Sequence, residues 1–587
     1  METRSLVKPR SEYRTSAEKN LEHTFVQGAP ATNETFDTIQ KLKALRPIPF
    51  PDTPPTDAPT ILHISMYCNK SFPVRIFHAL SSKDGINSHA VFFKNNFTNA
   101  HLPVSDHELT LLTSLIERIN PDAITFSVLA PYVVETRRAV AAIREVSDAP
   151  IIIGGKYPTI VPHEALEFVD YACKGEGELV MLRIHERLRQ GQNFHGIRGL
   201  WHKDDEGDIV DMGQEQLYQE LDDIPYAAIG EMQMHFIEED QLLETDTELY
   251  DDEFLVLAGR GCVYLCSFCV NSLLIPMNRG NGKFVRLRTP DNVIEEIKYR
   301  LDRCRVPSLV IFNDEVFGMF EDWVEEFSTK YSSQIGIPFD CELVPSLIKE
   351  NNVRKLAQAG MVSMHFGVQS GQDQIRKDIM HRPGTNDDLL QKSRLVRDLG
   401  IQPQYDIILG NPFDDENSLS DALGLLLSFG TPIRLNTYKM QFFPHYPFTN
   451  MALEAGHISQ ADVSDEGIER ATMYEWSYRP KFPAFSRRDY LENCIHLIPW
   501  MSPSMRWLLH HLHEKHNPIL GFIATILAML RYAQGFEGIA VFVWVRRIYL
   551  SVELIARGDF STLRRKIGQV SDNPRYAKLK TGRMLSR

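Results

Sequence analysis

Residues 254–269 read Phe254-Leu-Val-Leu-Ala-Gly-Arg-Gly-Cys262-Val-Tyr-Leu-Cys266-Ser-Phe268-Cys269. An apolar run of strand length feeds directly into a turn bracketed by glycines and then into three cysteines spaced C-x3-C-x2-C. Three thiolates on one loop can converge on a single soft metal centre. Structural zinc asks for four ligands, usually as two separated pairs, and no second CxxC or HxxxH pair lies nearby. Three ligands leave one coordination position open, which a reactive centre needs. An iron–sulfur cluster with one iron free of protein ligand is the natural candidate, and zinc or an incidental grouping the bland alternative. Cys262, Cys266 and Cys269 are therefore the expected metal ligands, while Cys68, Cys173, Cys304, Cys341 and Cys494 are scattered and read as packing residues.

Working outward, the strand at 254 opens an alternating region that extends to about residue 465. Apolar runs at Phe254–Ala258, Leu309–Asn313, Phe339–Val344, Met364–Val368, Gln404–Leu409 and Asn436–Phe442 are separated by helical periodicity, as at Asp291–Asp302 and Asp387–Leu399. Six such βα units predict a partial (β/α)6 barrel with its chemistry at the carboxyl ends of the strands. Residues 60–200 alternate in the same way, with strands expected at Ile61–Ser65, His89–Phe93, Ala123–Val128 and Pro150–Ile153. These predict a Rossmann-like parallel sheet whose ligand lies at the strand ends, where Gly154-Gly155-Lys156-Tyr157-Pro158 and Lys174-Gly175-Glu176-Gly177-Glu178 fall. The α/β class is thus expected for both. Residues 1–59 read as a flexible tail, closed by the proline-rich Arg46–Pro59. Residues 201–253 read as a linker. Within it Glu238–Glu253 holds nine acids and no Lys or Arg, the pattern of a solvated connector. Residues 466–587 read as a mainly helical region.

Composition narrows the function classes. The chain has 587 residues, with 63 Lys+Arg against 77 Asp+Glu and a net charge of −14. That balance disfavours a protein built to grip nucleic acid, which needs a basic footprint. The charged N-terminus lacks the apolar core of a secretory signal, and no run reaches the ~18 apolar residues of a spanning helix. A cytoplasmic, reducing location is the expectation. Near the C-terminus, Arg546, Arg547, Arg557, Arg564 and Arg565 flank apolar runs and allow contact with a membrane surface. His510 and His513 read as surface residues of a helix rather than metal ligands.

The stretch GRGCVYLCSFC resembles the cluster loop of the radical S-adenosylmethionine (radical SAM) enzymes, including the aromatic Phe268 before the third cysteine. The resemblance continues downstream. Arg286-Leu-Arg288-Thr-Pro290 with Val293–Ile297 is similar to the helix after that loop. Phe312-Asn313-Asp314-Glu315 resembles the end of the second barrel strand, and Gly367-Val-Gln369-Ser370-Gly371 the fourth. Gly410-Asn411-Pro412 resembles the turn after the fifth. Phe443–Thr449 stands where relatives read Pro-Gly-Thr, with Phe448 in place of the glycine. Upstream, Ile124–Ser127, Gly154-Gly155, Pro162–Ala165, Val169–Tyr171, Gly175–Glu178 and Leu221–Pro225 resemble the cobalamin-binding domain that precedes the barrel in one radical SAM subgroup.

This resemblance implies three cofactors: a [4Fe-4S] cluster, S-adenosyl-L-methionine and cobalamin. It implies that Phe268, Asn313, Asp314, Gln369 and Ser370 lie at the S-adenosylmethionine site, and that Ser127, Gly154, Gly155 and Gly175 contact cobalamin. No Asp-x-His-x-x-Gly motif occurs and Tyr157 stands where relatives often have His, so the cobalt is expected to lack a protein histidine. Glu176 and Glu178 are alternatively helix-capping acids. The implied activity is methyl transfer to an unactivated carbon of a small-molecule or natural-product substrate, through a 5′-deoxyadenosyl radical and methylcobalamin. Cyclisation or rearrangement on the same architecture is the alternative, and a metal-stabilised scaffold the rival from another class. An electron donor such as flavodoxin or ferredoxin is implied, and no nucleic acid.

Overall fold

Strand-forming runs at Thr60–Met66 (β1), Asn87–Phe93 (β2), Ala123–Ser127 (β3), Ile151–Gly154 (β4) and Tyr171–Cys173 (β5) pair in parallel, as their apolar, helix-separated pattern requires. In the computed structural model of the chain, residues 33–509 are described, apart from 47, 52, 54, 56, 96–101, 431 and short runs between 476 and 508. The first sheet continues through Leu200–Lys203 (β6), Ile209–Val210 (β7), Met234–Glu238 (β8) and Gln241–Leu243 (β9), giving nine strands in the order β7-β6-β5-β4-β3-β1-β2-β8-β9. β8 is parallel to β2, whereas β6, β7 and β9 are antiparallel edge additions. The order reverses between β1 and β3. In open α/β sheets the ligand crevice lies outside the strand ends at such a switch point. Ser127 ends β3 beside it.

Glu253–Val256 (β10) leads to a short antiparallel pair, Gly259–Arg260 (β11) and Arg286–Leu287 (β12). Leu309–Phe312 (β13), Phe339–Leu343 (β14), Met361–Gln369 (β15), Gln402–Leu409 (β16) and Arg434–Lys439 (β17) then complete a six-stranded, all-parallel sheet with β10 at one edge. This is the partial barrel that the six βα units predict. Its strands alternate. Phe312, Phe339, Cys341, Phe366, Tyr405 and Leu409 pack under the helices in one large core, while the intervening residues face the helix-free interior. Thr289 caps the helix Pro290–Leu301 by accepting from the Asn292 amide, with Pro290 in the first turn.

Three boundary expectations need correction. The expected tail contains the helix Asn33–Leu45, whose Thr35, Thr38, Leu42 and Leu45 are buried at helical spacing against the first unit. Lys41 pairs with Asp84 at 3.0 Å. The proline-rich run that follows masked this signal.

The expected linker is integral to the fold. It supplies β6–β9, and its acidic stretch is solvated only in part. Arg75 donates from both terminal nitrogens to Asp246, at 2.8 Å each, and its Nε lies 3.5 Å from Glu248. Glu248 in turn accepts from Arg300 at 3.0 Å. Arg75 belongs to the helix Phe72–Lys83 of the first unit and Arg300 to the barrel helix Pro290–Leu301. Asp246 and Glu248 thus form a buried ionic seam, because they met arginines from different layers, while Glu239, Glu244, Asp252 and Glu253 of the same stretch are exposed.

Third, the described part of the C-terminal region is not separate. Leu491, Cys494, Ile495 and Ile498 of the helix Arg487–Leu497 and the turn after it join the barrel core. Arg488 donates to the carbonyls of Asn411 and Asp414, each at 2.7 Å, fastening the turn after β16. His510, His513 and the arginines beyond 546 lie outside the described residues.

Candidate functional site

The cysteine loop is set by backbone geometry before any side chain acts. Gly261 has φ +92°, and a Cβ there would stand 2.4 Å from the Phe284 carbonyl oxygen, so only glycine lets β11 turn into Cys262. Ser267 anchors the middle of the loop. Its amide donates to Met380 O at 3.0 Å, its hydroxyl to Ile379 O at 2.6 Å, and its carbonyl accepts from the Phe448 amide at 3.1 Å. Phe448 therefore has a definite role in place of the glycine: it opens the helix Pro447–Glu454 and packs with Met380, Met440 and Phe268.

Cys262, Cys266 and Cys269 are all free thiols, gathered with Val263, Phe268, Val316 and Val344 in one small apolar cluster. Burial pushes Cys262 up to about 12 and Cys269 up to about 11. Among the described residues no three Cys, His, Asp or Glu side chains stand close enough to share a single metal ion. Three thiolates on one loop suit a cubane cluster, which presents a separate iron corner to each and leaves one iron without a protein ligand. Arg382, which the sequence did not single out, donates to Gly367 O at 3.1 Å and lies 3.9 Å from the Cys266 sulfur.

The residues expected around S-adenosylmethionine divide. Asn313 is exposed at the end of β13, and Gln369 ends β15 with φ +64°. Ser370 follows it and is buried. Asp314 is turned inward instead. Its carboxylate accepts from the Ala258 amide at 3.0 Å, and burial raises its pKa to about 7 despite that bond. Asp314 thus braces the strand leading into the cysteine loop. It is a positioning residue, not an open ligand contact.

The raised pKa makes a pH prediction. In the unfolded chain Asp314 ionises near its ordinary value of 3.8, so its contribution to folding is full below that pH and is lost as pH rises toward 7. Asp314→Asn removes the loss. The stability of the variant relative to wild type should rise by about 2 kcal/mol between pH 5.5 and 8. Thermal melting at the two pH values measures this, and a pH-independent difference contradicts it.

The next residue, Glu315, bridges the units. It accepts from Asn271 at 2.8 Å, just past Cys269, and lies 3.9 Å from Lys156 at the end of β4. The carboxyl edges of the two sheets therefore meet beside the cysteines. Ser127 is half-buried at this edge and Leu129 is 45% exposed. Gly155, at φ +107°, abuts Val128, whose carbonyl oxygen would stand 2.6 Å from a Cβ. Gly154 ends β4 beside it, and the Gly175 amide donates to Thr159 at 3.1 Å. Tyr157 is buried with its hydroxyl 3.3 Å from Asp465, and His163 stands edge-on to Trp201. An open edge offering an apolar side chain, a hydroxyl and a lysine at the switch point fits cobalamin.

Glu176 and Glu178 form the firmest bond between the units. Arg286 of β12 binds Glu176 through both terminal nitrogens, at 2.9 and 2.6 Å, and Arg260 of β11 reaches Glu176 at 3.3 Å and Glu178 at 2.6 Å. Burial opposes ionisation of Glu176, but Arg286 and Arg260 overcome it and pull its pKa to about 2. Glu178 does open the helix Glu178–Arg189, yet its carboxylate turns to Arg260.

The interior face of the barrel carries a second constellation that the sequence reading missed. Asp340 and Glu342 of β14, Ser363 and His365 of β15, and Gln404 and Asp406 of β16 lie on it in register. His365 Nδ1 is 3.3 Å from Asp406, and Asn436 donates to the other Asp406 oxygen at 2.7 Å. Burial disfavours the charged imidazole, but Asp406, Asp340 and Glu342 outweigh it and hold His365 up at about 9. The available signal was the polar–apolar alternation in Phe339–Leu343 and Ser363–Phe366, which marks a polar interior face.

Comparison with known proteins bears on this geometry directly. Residues 256–426 match the model of the radical SAM superfamily. An uncharacterized methyltransferase of Pyrococcus horikoshii is 19% identical over 345 residues, 58% of this chain and 70% of that protein. The cytidylyl-2-hydroxyethylphosphonate methyltransferase of Streptomyces wedmorensis is 20% identical over 356 residues, 57% of this chain and 64% of that protein. Among solved structures, the radical S-adenosylmethionine methyltransferase TsrM from Kitasatospora setae, with tryptophan substrate and a SAM analog bound, superposes with a TM-score of 0.56 at 15% identity. The match covers 79% of this chain and 96% of that one. The cobalamin-dependent S-adenosylmethionine radical enzyme OxsB gives 0.55 at 13% identity, covering 86% and 76%.

Proposed function

We propose that this chain, whose residues 256–426 match the radical SAM superfamily and whose fold is that of cobalamin-dependent radical SAM enzymes, is a radical SAM enzyme that methylates an unactivated carbon of a small molecule. The observation that carries the reading is the meeting of the two carboxyl edges. The switch point of the first sheet faces the cysteine loop across Lys156 and Glu315, so a corrinoid and a cluster-bound cosubstrate would share one cavity. The methyltransferase relatives support the reaction class, and the tryptophan bound to TsrM supports a small-molecule substrate.

Cys262, Cys266 and Cys269 would hold the [4Fe-4S] cluster, leaving one iron for S-adenosylmethionine. Asn313, Gln369 and Ser370 would line the cosubstrate at the strand ends. Ser127, Gly154, Gly155 and Gly175 would border cobalamin. When bound, these groups supply the radical chemistry and the methyl group. The chain supplies placement. The paired Arg260 and Arg286 hold the glutamates of the first unit against the base of the cysteine loop, which fixes the distance between the two cofactor seats. The apolar Val263, Phe268, Val316 and Val344 keep water from the thiolates. Such a cluster requires a one-electron donor, for which a flavodoxin or ferredoxin is the fitting class. The free thiols suit a reducing cytoplasm. No helix among the described residues is long and apolar enough to cross a membrane.

Anaerobic reconstitution with iron, sulfide and a cobalamin tests the reading. The expected result is a cluster absorbance, a retained corrinoid and S-adenosylmethionine-dependent 5′-deoxyadenosine. In cells, the product should differ from its precursor by the mass of one methylene unit. A product of altered ring connectivity without that gain would show cyclisation instead.

A further inference from the structure

We propose that the interior face of the barrel, at Asp340, Glu342, His365 and Asp406, is the seat for a cationic nitrogen of the substrate, either a protonated amine or a guanidinium. The inference rests on the small-molecule reading above and specifies the substrate class.

Charge is the first argument. Three carboxylates face one imidazolium, a surplus of two negative charges when all are ionised. His365 lies between two of them, 3.3 Å from Asp406 and 3.9 Å from Asp340. Glu342 is exposed to the hollow rather than packed. Arg434, exposed at the foot of β17, acts on Asp340 and offsets one of the two charges, leaving a surplus of one. Tyr438 is neutral, its hydroxyl held well above its ordinary range by burial and by Asp406 and Glu342. An anionic substrate here would meet like charge from three sides.

The second argument concerns the Asp340 oxygen that lies 3.9 Å from His365 Nε2, beyond hydrogen-bond reach. Asp340 is 6% exposed, and its Oδ1 has no hydrogen-bond partner, although Ser363 donates to its other oxygen. A buried carboxylate oxygen without a donor is costly. Burial accordingly raises the pKa of Asp340. A ligand N–H directed at that oxygen would remove the cost, and a positive one would also stabilise the ionised carboxylates. Neutral hydroxyl or carbonyl ligands would satisfy only the first need.

S-adenosylmethionine also carries a positive charge, so the experiment must separate cosubstrate from substrate. The reconstituted enzyme, with saturating S-adenosylmethionine, is titrated with agmatine as a cationic probe and with butylurea as a neutral control. Calorimetry should detect agmatine and not butylurea. In selectively labelled protein, agmatine should lower the His365 pKa from about 9 toward the usual imidazole range. Glu342→Gln and Asp406→Asn should each weaken agmatine binding roughly 10-fold or more, the scale of one charge-assisted hydrogen bond, while retaining the cluster absorbance that reports folding. Equal binding of butylurea overturns the proposal. Displacement of agmatine by S-adenosylmethionine also overturns it, since the seat then belongs to the cosubstrate. Loss of 5′-deoxyadenosine formation in the unmodified enzyme would instead strike the radical reading, leaving the amine titration to be judged by itself.

Discussion

With Cys266 replaced by alanine, the reconstituted protein is expected to lose the cluster absorbance, 5′-deoxyadenosine formation and product together. Cys266 is the most buried of the three thiols, at 5% exposure, and Arg382 points to its sulfur. Two cysteines alone cannot supply the three thiolates that such a cluster needs. Turnover should fall by at least about a millionfold, the lower end of enzymic rate enhancement. Corrinoid absorbance should persist, because the switch-point edge between β1 and β3 is built without the cysteine loop. Simultaneous loss of cobalamin would show that the two seats fold as one. Retention of 5′-deoxyadenosine formation would remove Cys266 from the ligand set.

Asp246→Ala should be the most destabilising single change in the seam between the units. Burial opposes ionisation of Asp246, but Arg75 beside it holds its carboxyl below the usual range. Asp246 also accepts from the amides of Gly230, at 2.9 Å, and Glu248, at 3.0 Å. The variant leaves the Arg75 guanidinium, 1% exposed, with Glu248 as its remaining nearby acid. Removing one partner of a buried pair costs about 3–5 kcal/mol, since the other charge is left without compensation. For a chain of this size unfolding as one unit, that corresponds to a fall in melting temperature of roughly 2–4 °C. The wild-type contribution is present above about pH 4 and is lost as acid protonates Asp246. A fall of less than about 1 °C would mean that water reaches Arg75 and the seam is a surface contact.

Much of the architecture was legible in short-range pattern. The strands at 61, 89, 123, 254, 309, 339, 404 and 436 appear within a few residues of their expected positions, because burial of a strand against helices leaves a run of apolar side chains that composition reveals directly. The cysteine loop was equally plain, since its ligands lie within eight residues of one another. Long-range pairing was not legible along the chain. The acids at 246 and 248 look like solvent-facing charge, and the carboxylate of Asp314 like ligand-facing charge, when read in sequence. Their partners are far away: Arg75 lies 171 positions from Asp246, and Ala258 lies 56 from Asp314.

The local spacing of apolar residues and cysteines thus determined, by itself, two α/β units and a three-thiolate loop at the head of the second. That holds because strand burial and chelation by one loop are decided over a few residues. Which acids are buried, where the two strand edges meet, and that His365 sits among three carboxylates were decided only by tertiary structure. Each of these is a pairing of charges brought together by sheet register and crossover. Electrostatic energy depends on distance in space, and distance along the chain does not report it.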